Sequence, residues 1–177
     1  NELGFHDYYD EEGRSLRKTF LRAPLNFTRI SSRYSGRRFH PVQKRWKAHL
    51  GTDYAAPTGT PIMSTADGVI IAAQYTSANG NYVKVRHNSA YTTQYLHMSK
   101  IKPGIKNSVK VKQGDVIGYV GSTGLATGPH VCYRFWVNGK QVDPYKQKLP
   151  QAKPLEDDRM EAYKSYMFGL KKELDNL

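Results

Sequence analysis

His49, Asp53, His130 and Cys132 are the residues whose types and surroundings suit metal or proton chemistry. The run Gly128-Pro129-His130-Val131-Cys132-Tyr133-Arg134-Phe135-Trp136 favours an extended strand, in which side chains two apart point the same way. His130, Cys132 and Arg134 then share one face, and Val131, Tyr133 and Phe135 line the other. Ser122-Thr123-Gly124 and Gly128-Pro129 punctuate the start of this strand. Asn138-Gly139 predicts a hairpin turn into Lys140-Gln141-Val142-Asp143.

The complementary groups lie far upstream, in Trp46-Lys47-Ala48-His49-Leu50-Gly51-Thr52-Asp53-Tyr54-Ala55-Ala56-Pro57. A helix or a strand could bring His49 and Asp53 to one face, but Gly51 and the Ala-Ala-Pro sequel predict a loop running into a strand. Histidine, carboxylate and thiolate are common zinc ligands. A catalytic zinc takes three protein ligands and leaves one position for water. His49, Asp53 and Cys132 match that pattern. The competing expectation for Cys132 is a small buried apolar residue in a site without metal.

Six stretches together resemble the lysostaphin-type (LytM-like) zinc endopeptidases, which cut peptide cross-links in bacterial peptidoglycan. They are Arg38-Phe39-His40-Pro41-Val42, His49-Leu50-Gly51-Thr52-Asp53, Ala56-Pro57-Thr58-Gly59-Thr60-Pro61, Tyr95-Leu96-His97-Met98, Gln113-Gly114-Asp115-Val116-Ile117-Gly118 and Thr127-Gly128-Pro129-His130. They occur in the family's order over roughly residues 24 to 145, which is far more specific than any single motif. The resemblance implies a mainly β domain with a small antiparallel, barrel-like sheet and a groove above Zn2+. It implies His49, Asp53 and Cys132 as metal ligands, and His97 and His130 as the catalytic histidines, one a general base and the other a stabiliser of the oxyanion. Arg38, His40 and Tyr95, within the matched stretches, are the expected substrate contacts. The expected substrate is the peptidoglycan stem peptide. The Arg-Phe-His-Pro and Trp-Lys-x-His stretches look more like Gram-negative representatives, implying D-alanyl-diaminopimelate bonds. Cys132 replaces the second histidine of the family's His-x-His. That departure keeps open a catalytically degenerate module that binds peptidoglycan or activates a cell-wall amidase.

Composition narrows the partners. The 177 residues suffice for one domain with a hydrophobic core plus extensions. With 27 Lys and Arg against 15 Asp and Glu, the formal charge is +12, which suits anionic envelope polymers. Arg33, Arg37, Arg38, Lys44, Arg45 and Lys47 gather just before His49, as a basic rim or a solvated loop. No zinc-finger ligand set, RNA-recognition motif or basic zipper is present, so nucleic acid is not expected as a partner. No apolar run approaches the roughly 20 residues that span a bilayer. One cysteine forms no internal disulfide and leaves the redox compartment open. A peptidoglycan substrate implies a periplasmic, cell-envelope or secreted location.

These groups must be positioned by short strands. Residues 60–63, 68–73, 82–86, 91–97 and two segments within 109–120 read as strands joined by turn signals, including Asn79-Gly80. His87 falls in a turn, where a polar loop residue is expected. Tyr34, Tyr54 and Tyr95 suit aromatic packing or an extra hydrogen bond to substrate. Residues 1–23 read as an N-terminal extension or the tail of an upstream module, with a short strand at 16–21 and an inert His6. Residues 24–146 form the main domain, and 147–177 a Pro-rich linker and an amphipathic helix. In that helix Met160, Tyr163, Met167, Leu170 and Leu174 make one stripe. Glu156, Asp157 and Asp158 sit at its start and Lys171 and Lys172 near its end, as the helix dipole favours.

Overall fold

Antiparallel pairing organises the computed structural model, which describes residues 9–10, 12–13, 19–26, 29–40, 44–147 and 155–175. The chain divides into two compact units. One is Phe20–Lys148; the other combines Asn1–Thr19 with Leu149–Leu177.

In the larger unit the strands are β1 (Arg29–Ser32), β2 (Ser35–His40), β3 (Arg45–His49), β4 (Thr52–Ala55), β5 (Pro61–Met63) and β6 (Gly68–Thr76). They continue as β7 (Gly80–Arg86), β8 (Tyr91–Ile101), β9 (Lys110–Val111), β10 (Val116–Val120), β11 (His130–Val137) and β12 (Lys140–Val142). Ten of them form one sheet in the order β1-β4-β11-β8-β7-β6-β9, with β12 on β11 and β10 joining β5 to β8. The hairpin β2–β3 is a separate two-stranded ribbon. The expected mainly β, antiparallel body with one C-terminal helix is what forms.

Local chemistry explains the turns. Asn138 and Gly139 both have positive φ, 48° and 77°, as a tight hairpin between right-twisted strands requires. Alternation explains the faces. Val131, Tyr133 and Phe135 of β11 are buried, and Tyr54, Tyr95 and Tyr133 gather on the core side. Thr65 ties that cluster together. Its N–H donates to Tyr95 Oη at 2.9 Å, and its Oγ1 lies 3.0 Å from both Tyr95 Oη and Tyr133 Oη.

His87 is not the free loop residue expected from its turn. Its ring packs edge-on against Phe20, with centroids 5.0 Å apart. Nδ1 lies 2.8 Å from the Asp67 carbonyl and Nε2 2.8 Å from Thr93 Oγ1. Both nitrogens are therefore satisfied inside the fold, and burial lowers the imidazole pKa to about 4.

The smaller unit contains α1 (Asp157–Leu174). Its stripe of Met160, Tyr163, Met167 and Leu170 is half-buried, while Leu174 is exposed. Tyr163 Oη donates to the Tyr9 carbonyl at 3.1 Å, and the Leu155 N–H donates to the Gly13 carbonyl at 2.8 Å. Gly13 has φ 75° and carries no Cβ because one would lie 2.6 Å from Met160 Cε. Residues 14–18, His6 and the Pro-rich stretch at 150–154 lie outside the described residues, so the strand and linker expected there are not described. Among the described residues no helix is long and apolar enough to cross a membrane.

Candidate metal centre

Strand pairing brings the donors together. β4 lies antiparallel to β11, with Cys132 opposite Asp53 and His130 opposite Ala55. Cross-strand partners share a face, so Asp53, Cys132 and His130 project to the same side. His49 ends β3, and Leu50 and Gly51 turn the chain directly into β4. That turn brings His49 Nε2 to 3.0 Å from Asp53 Oδ1 and 3.7 Å from Cys132 Sγ. His49, Asp53 and Cys132 offer three ligand atoms within 4.8 Å of one another.

The backbone fixes which imidazole nitrogens are available. His49 Nδ1 lies 3.0 Å from the Arg33 carbonyl, and His130 Nδ1 lies 2.8 Å from the Gly128 carbonyl. A carbonyl only accepts, so each Nδ1 carries the proton. Each Nε2 then presents a lone pair unless the ring is doubly protonated. His49 Nε2 nevertheless sits 3.0 Å from one carboxylate oxygen, which presents lone pairs of its own. That contact needs a positive charge between the atoms: a second proton on the ring or a shared metal cation. Tetrahedral zinc with bonds of roughly 2.0–2.3 Å sets its ligands about 3.5 Å apart, near the 3.0 and 3.7 Å that separate His49 Nε2 from the other two. A backbone carbonyl on the other nitrogen is also the usual support of a metal-binding histidine.

Charge and burial divide the groups. Burial alone would raise the Asp53 carboxyl, but the hydrogen bond and charge of His49, with His130 beyond it, hold it below the usual carboxylate range. Arg38 Nη1 lies 3.6 Å from Asp53 Oδ2 and donates to Ser32 Oγ. Burial pushes the Cys132 thiol up, as does Asp53, while Arg134 opposes them. Cys132 also packs with Leu96 and Tyr82.

His97 lies beside His130, their ring centroids 4.8 Å apart. Burial lowers its pKa to about 4, against the pull of a hydrogen bond to the Thr123 carbonyl. It sits where β8 changes partners: Leu96 faces Cys132 of β11, while Met98 faces Val120 of β10. The register against β7 slips at the same point, and His97 takes φ 65°. A bulge of this kind re-aims one side chain out of the strand's alternation.

His49, Asp53, Cys132, His97 and His130 thus meet, and Arg38 joins them at the carboxylate. Tyr95 does not. It is fully buried, with its hydroxyl engaged by Thr65, so the substrate contact expected of it is replaced by a role in the core. The side chain of His40 lies outside the described residues. The carbonyls of Arg33, Gly128 and Thr123, which orient three imidazoles, were not anticipated. Only the glycines and turn residues around Thr123 and Gly128 hinted at them.

Fold and site together define a class: an antiparallel β domain built around a candidate metal centre of one histidine, one aspartate and one cysteine. The Peptidase family M23 model matches residues 47–144, and the chain belongs to that family. It is 48% identical over 157 residues to the peptidoglycan DD-endopeptidase ShyC of Vibrio cholerae, covering 89% of this chain and 36% of that protein. It is 41% identical to ShyA, a peptidoglycan DD-endopeptidase of the same organism, over 96% of this chain and 38% of that protein. Its fold matches the crystal structure of a zinc-containing peptidase from Vibrio cholerae with a TM-score of 0.69 at 38% identity, covering 81% of this chain and 47% of that one. The chain thus spans little more than a third of the length of these curated relatives.

Proposed function

We propose that the domain is a zinc-dependent endopeptidase that hydrolyses peptide cross-links of bacterial peptidoglycan, outside the cytoplasm. The observation that carries this reading is the approach of His49 Nε2 to the Asp53 carboxylate beside the Cys132 sulfur, a geometry that a shared cation satisfies. His49, Asp53 and Cys132 would hold the zinc. When bound, it would supply Lewis acidity that polarises a carbonyl and lowers the pKa of water to about 7. Relatives named as peptidoglycan DD-endopeptidases support the choice of substrate.

The remaining chemistry falls to the imidazole pair. With Nδ1–H of His97 held by Thr123 and that of His130 by Gly128, each Nε2 is the proton-accepting nitrogen. Such a nitrogen takes a proton first, and as an imidazolium N–H then donates it to the departing amine or hydrogen-bonds an oxyanion. At neutral pH His97 is uncharged, so its Nε2 keeps its lone pair. Arg38 beside Asp53 and Arg134 beside Cys132 offset the negative charge of the donor set.

A second reading follows from the packing of Cys132 against Leu96 and Tyr82, which suits a neutral thiol: a degenerate module that binds peptidoglycan or activates an amidase. Metal analysis of protein purified without added zinc, beside digestion of purified sacculi, separates the two. The endopeptidase carries stoichiometric zinc and releases muropeptides, and it loses release in His49→Ala and Asp53→Ala with the fold kept. Chelator-resistant activity of metal-free protein would sink the reading, and folded, metal-free, inactive protein that still binds sacculi would favour the second.

A further inference from the structure

Beside the imidazole pair, the loop at residues 121–125 is fastened to the turn between β6 and β7. Thr123 Oγ1 accepts the Asn81 N–H at 3.0 Å and donates to the Met98 carbonyl at 2.8 Å. Asn81 Nδ2 donates to the Met98 and Ser99 carbonyls at 3.1 and 3.2 Å, and the Leu125 N–H donates to the Ala78 carbonyl at 3.2 Å. The fit leaves no room for side chains: a Cβ on Gly80 would overlap Thr123, and one on Gly124 would overlap Gly80.

The same turn also sets His97, whose N–H donates to the Asn79 carbonyl at 2.9 Å. His97 Nδ1 then lies 2.8 Å from the Thr123 carbonyl. Main chain and ring of this histidine are therefore referenced to one turn, the ring through Thr123. Because an exposed imidazole exchanges tautomers freely, a fixed carbonyl at Nδ1 decides which nitrogen can accept a proton.

We propose that Thr123 is a positioning residue for the reaction: its hydroxyl, held between the Asn81 amide and the Met98 carbonyl, fixes the carbonyl that keeps His97 in the Nδ1–H tautomer. This rests on the reading of His97 as a proton-transfer group. Threonine is required for its hydroxyl rather than its shape. Thr123→Val keeps the shape and loses both hydrogen bonds, whereas Thr123→Ser keeps them.

The test combines nitrogen NMR of the imidazoles, zinc content and steady-state cleavage of a soluble cross-linked muropeptide dimer. Wild-type His97 shows the Nδ1–H tautomer. In Thr123→Val the His97 signals move toward the Nε2–H form and kcat falls about 10- to 100-fold, with KM and zinc content unchanged. Thr123→Ser restores both readouts. A wild-type Nε2–H tautomer overturns the proposal, as does a folded Thr123→Val with wild-type kcat and wild-type imidazole signals. If Thr123→Val does not fold, the wild-type tautomer still tests the proposal, because an Nε2–H form overturns it. A wild-type protein that leaves the dimer uncut refutes the endopeptidase reading, while the NMR still judges the link between Thr123 and His97.

Discussion

Cys132 Sγ lies 3.7 Å from His49 Nε2 although 83 residues separate them. The approach depends on Gly51, which follows the histidine by two residues. A Cβ there would lie 2.9 Å from Cys132 Sγ, 3.0 Å from the Tyr133 carbonyl and 3.1 Å from Arg134 Cγ. Backbone on one side leaves the sulfur and Arg134 to give way. Gly51→Ala should therefore displace the thiol and weaken zinc binding about 10- to 100-fold, as disturbed support of a ligand does. Competition against a chromogenic chelator measures this. In the cobalt-substituted protein the thiolate charge-transfer band should weaken in parallel, and an unchanged band would show that the loop, not the thiol, moves.

His87 predicts an acid limb of stability. Its pKa is lowered from 6.5 to about 4 in the folded chain, so between these values the unfolded chain binds the extra proton. Stability is then insensitive to this group above pH 6.5, declines as pH falls toward 4, and levels off below. The full loss is about 3 kcal/mol. Urea unfolding at a series of pH values should show this slope in wild type and a shallower one in His87→Gln. Equal slopes would assign the acid sensitivity elsewhere.

The ribbon β2–β3 holds His49 at its end but is only two strands wide, and such ribbons are marginal alone. Phe39 and Trp46 face one another across it, edge to face at 5.9 Å, and Arg37 lies 4.9 Å above the Trp46 ring. Trp46 is 63% exposed, so it braces the ribbon rather than filling a core. Trp46→Ala should cost about 0.5–1.5 kcal/mol locally. Hydrogen exchange in Ser35–His40 and Arg45–His49 should accelerate and zinc should dissociate faster, while β7 and β8 keep their protection. Unaltered exchange in the ribbon would contradict this bracing role.

Thr52 predicts the opposite sign. Its Oγ1 is buried and, among the described residues, has no hydrogen-bond partner. Such a group loses hydration without compensation. Thr52→Val, of similar shape, should leave stability unchanged or raise it by about 1 kcal/mol, read as the urea midpoint. A clear loss would reveal a partner that forms in solution.

Much of this fold is written locally. Period-two alternation marks Val131, Tyr133 and Phe135 as one face and His130, Cys132 and Arg134 as the other. Asn138-Gly139 and Asn79-Gly80 name their turns because few residues tolerate positive φ. His49, Asp53, Cys132, His97 and His130 are legible as side chains that meet, because their stretches occur together in the order of the family to which the chain belongs. Tyr95 is not, because a motif position does not say which face of the sheet a side chain takes. The burial of His87 is hidden for a similar reason: a turn residue can still fold its ring inward under Phe20.

What the sequence alone determined was therefore the strands from residue 60 onward, the turns between them and the inventory of reactive groups, all governed by interactions within a few residues; the ribbon of β2 and β3 was not among them. The tertiary structure decided which of those groups meet. Register between β4 and β11 sets Cys132 against Asp53, and the bulge at His97 brings its ring beside that of His130. The carbonyls of Arg33, Gly128 and Thr123 choose the imidazole tautomers. Every residue carries a carbonyl, so only the path of the folded chain can single out those three.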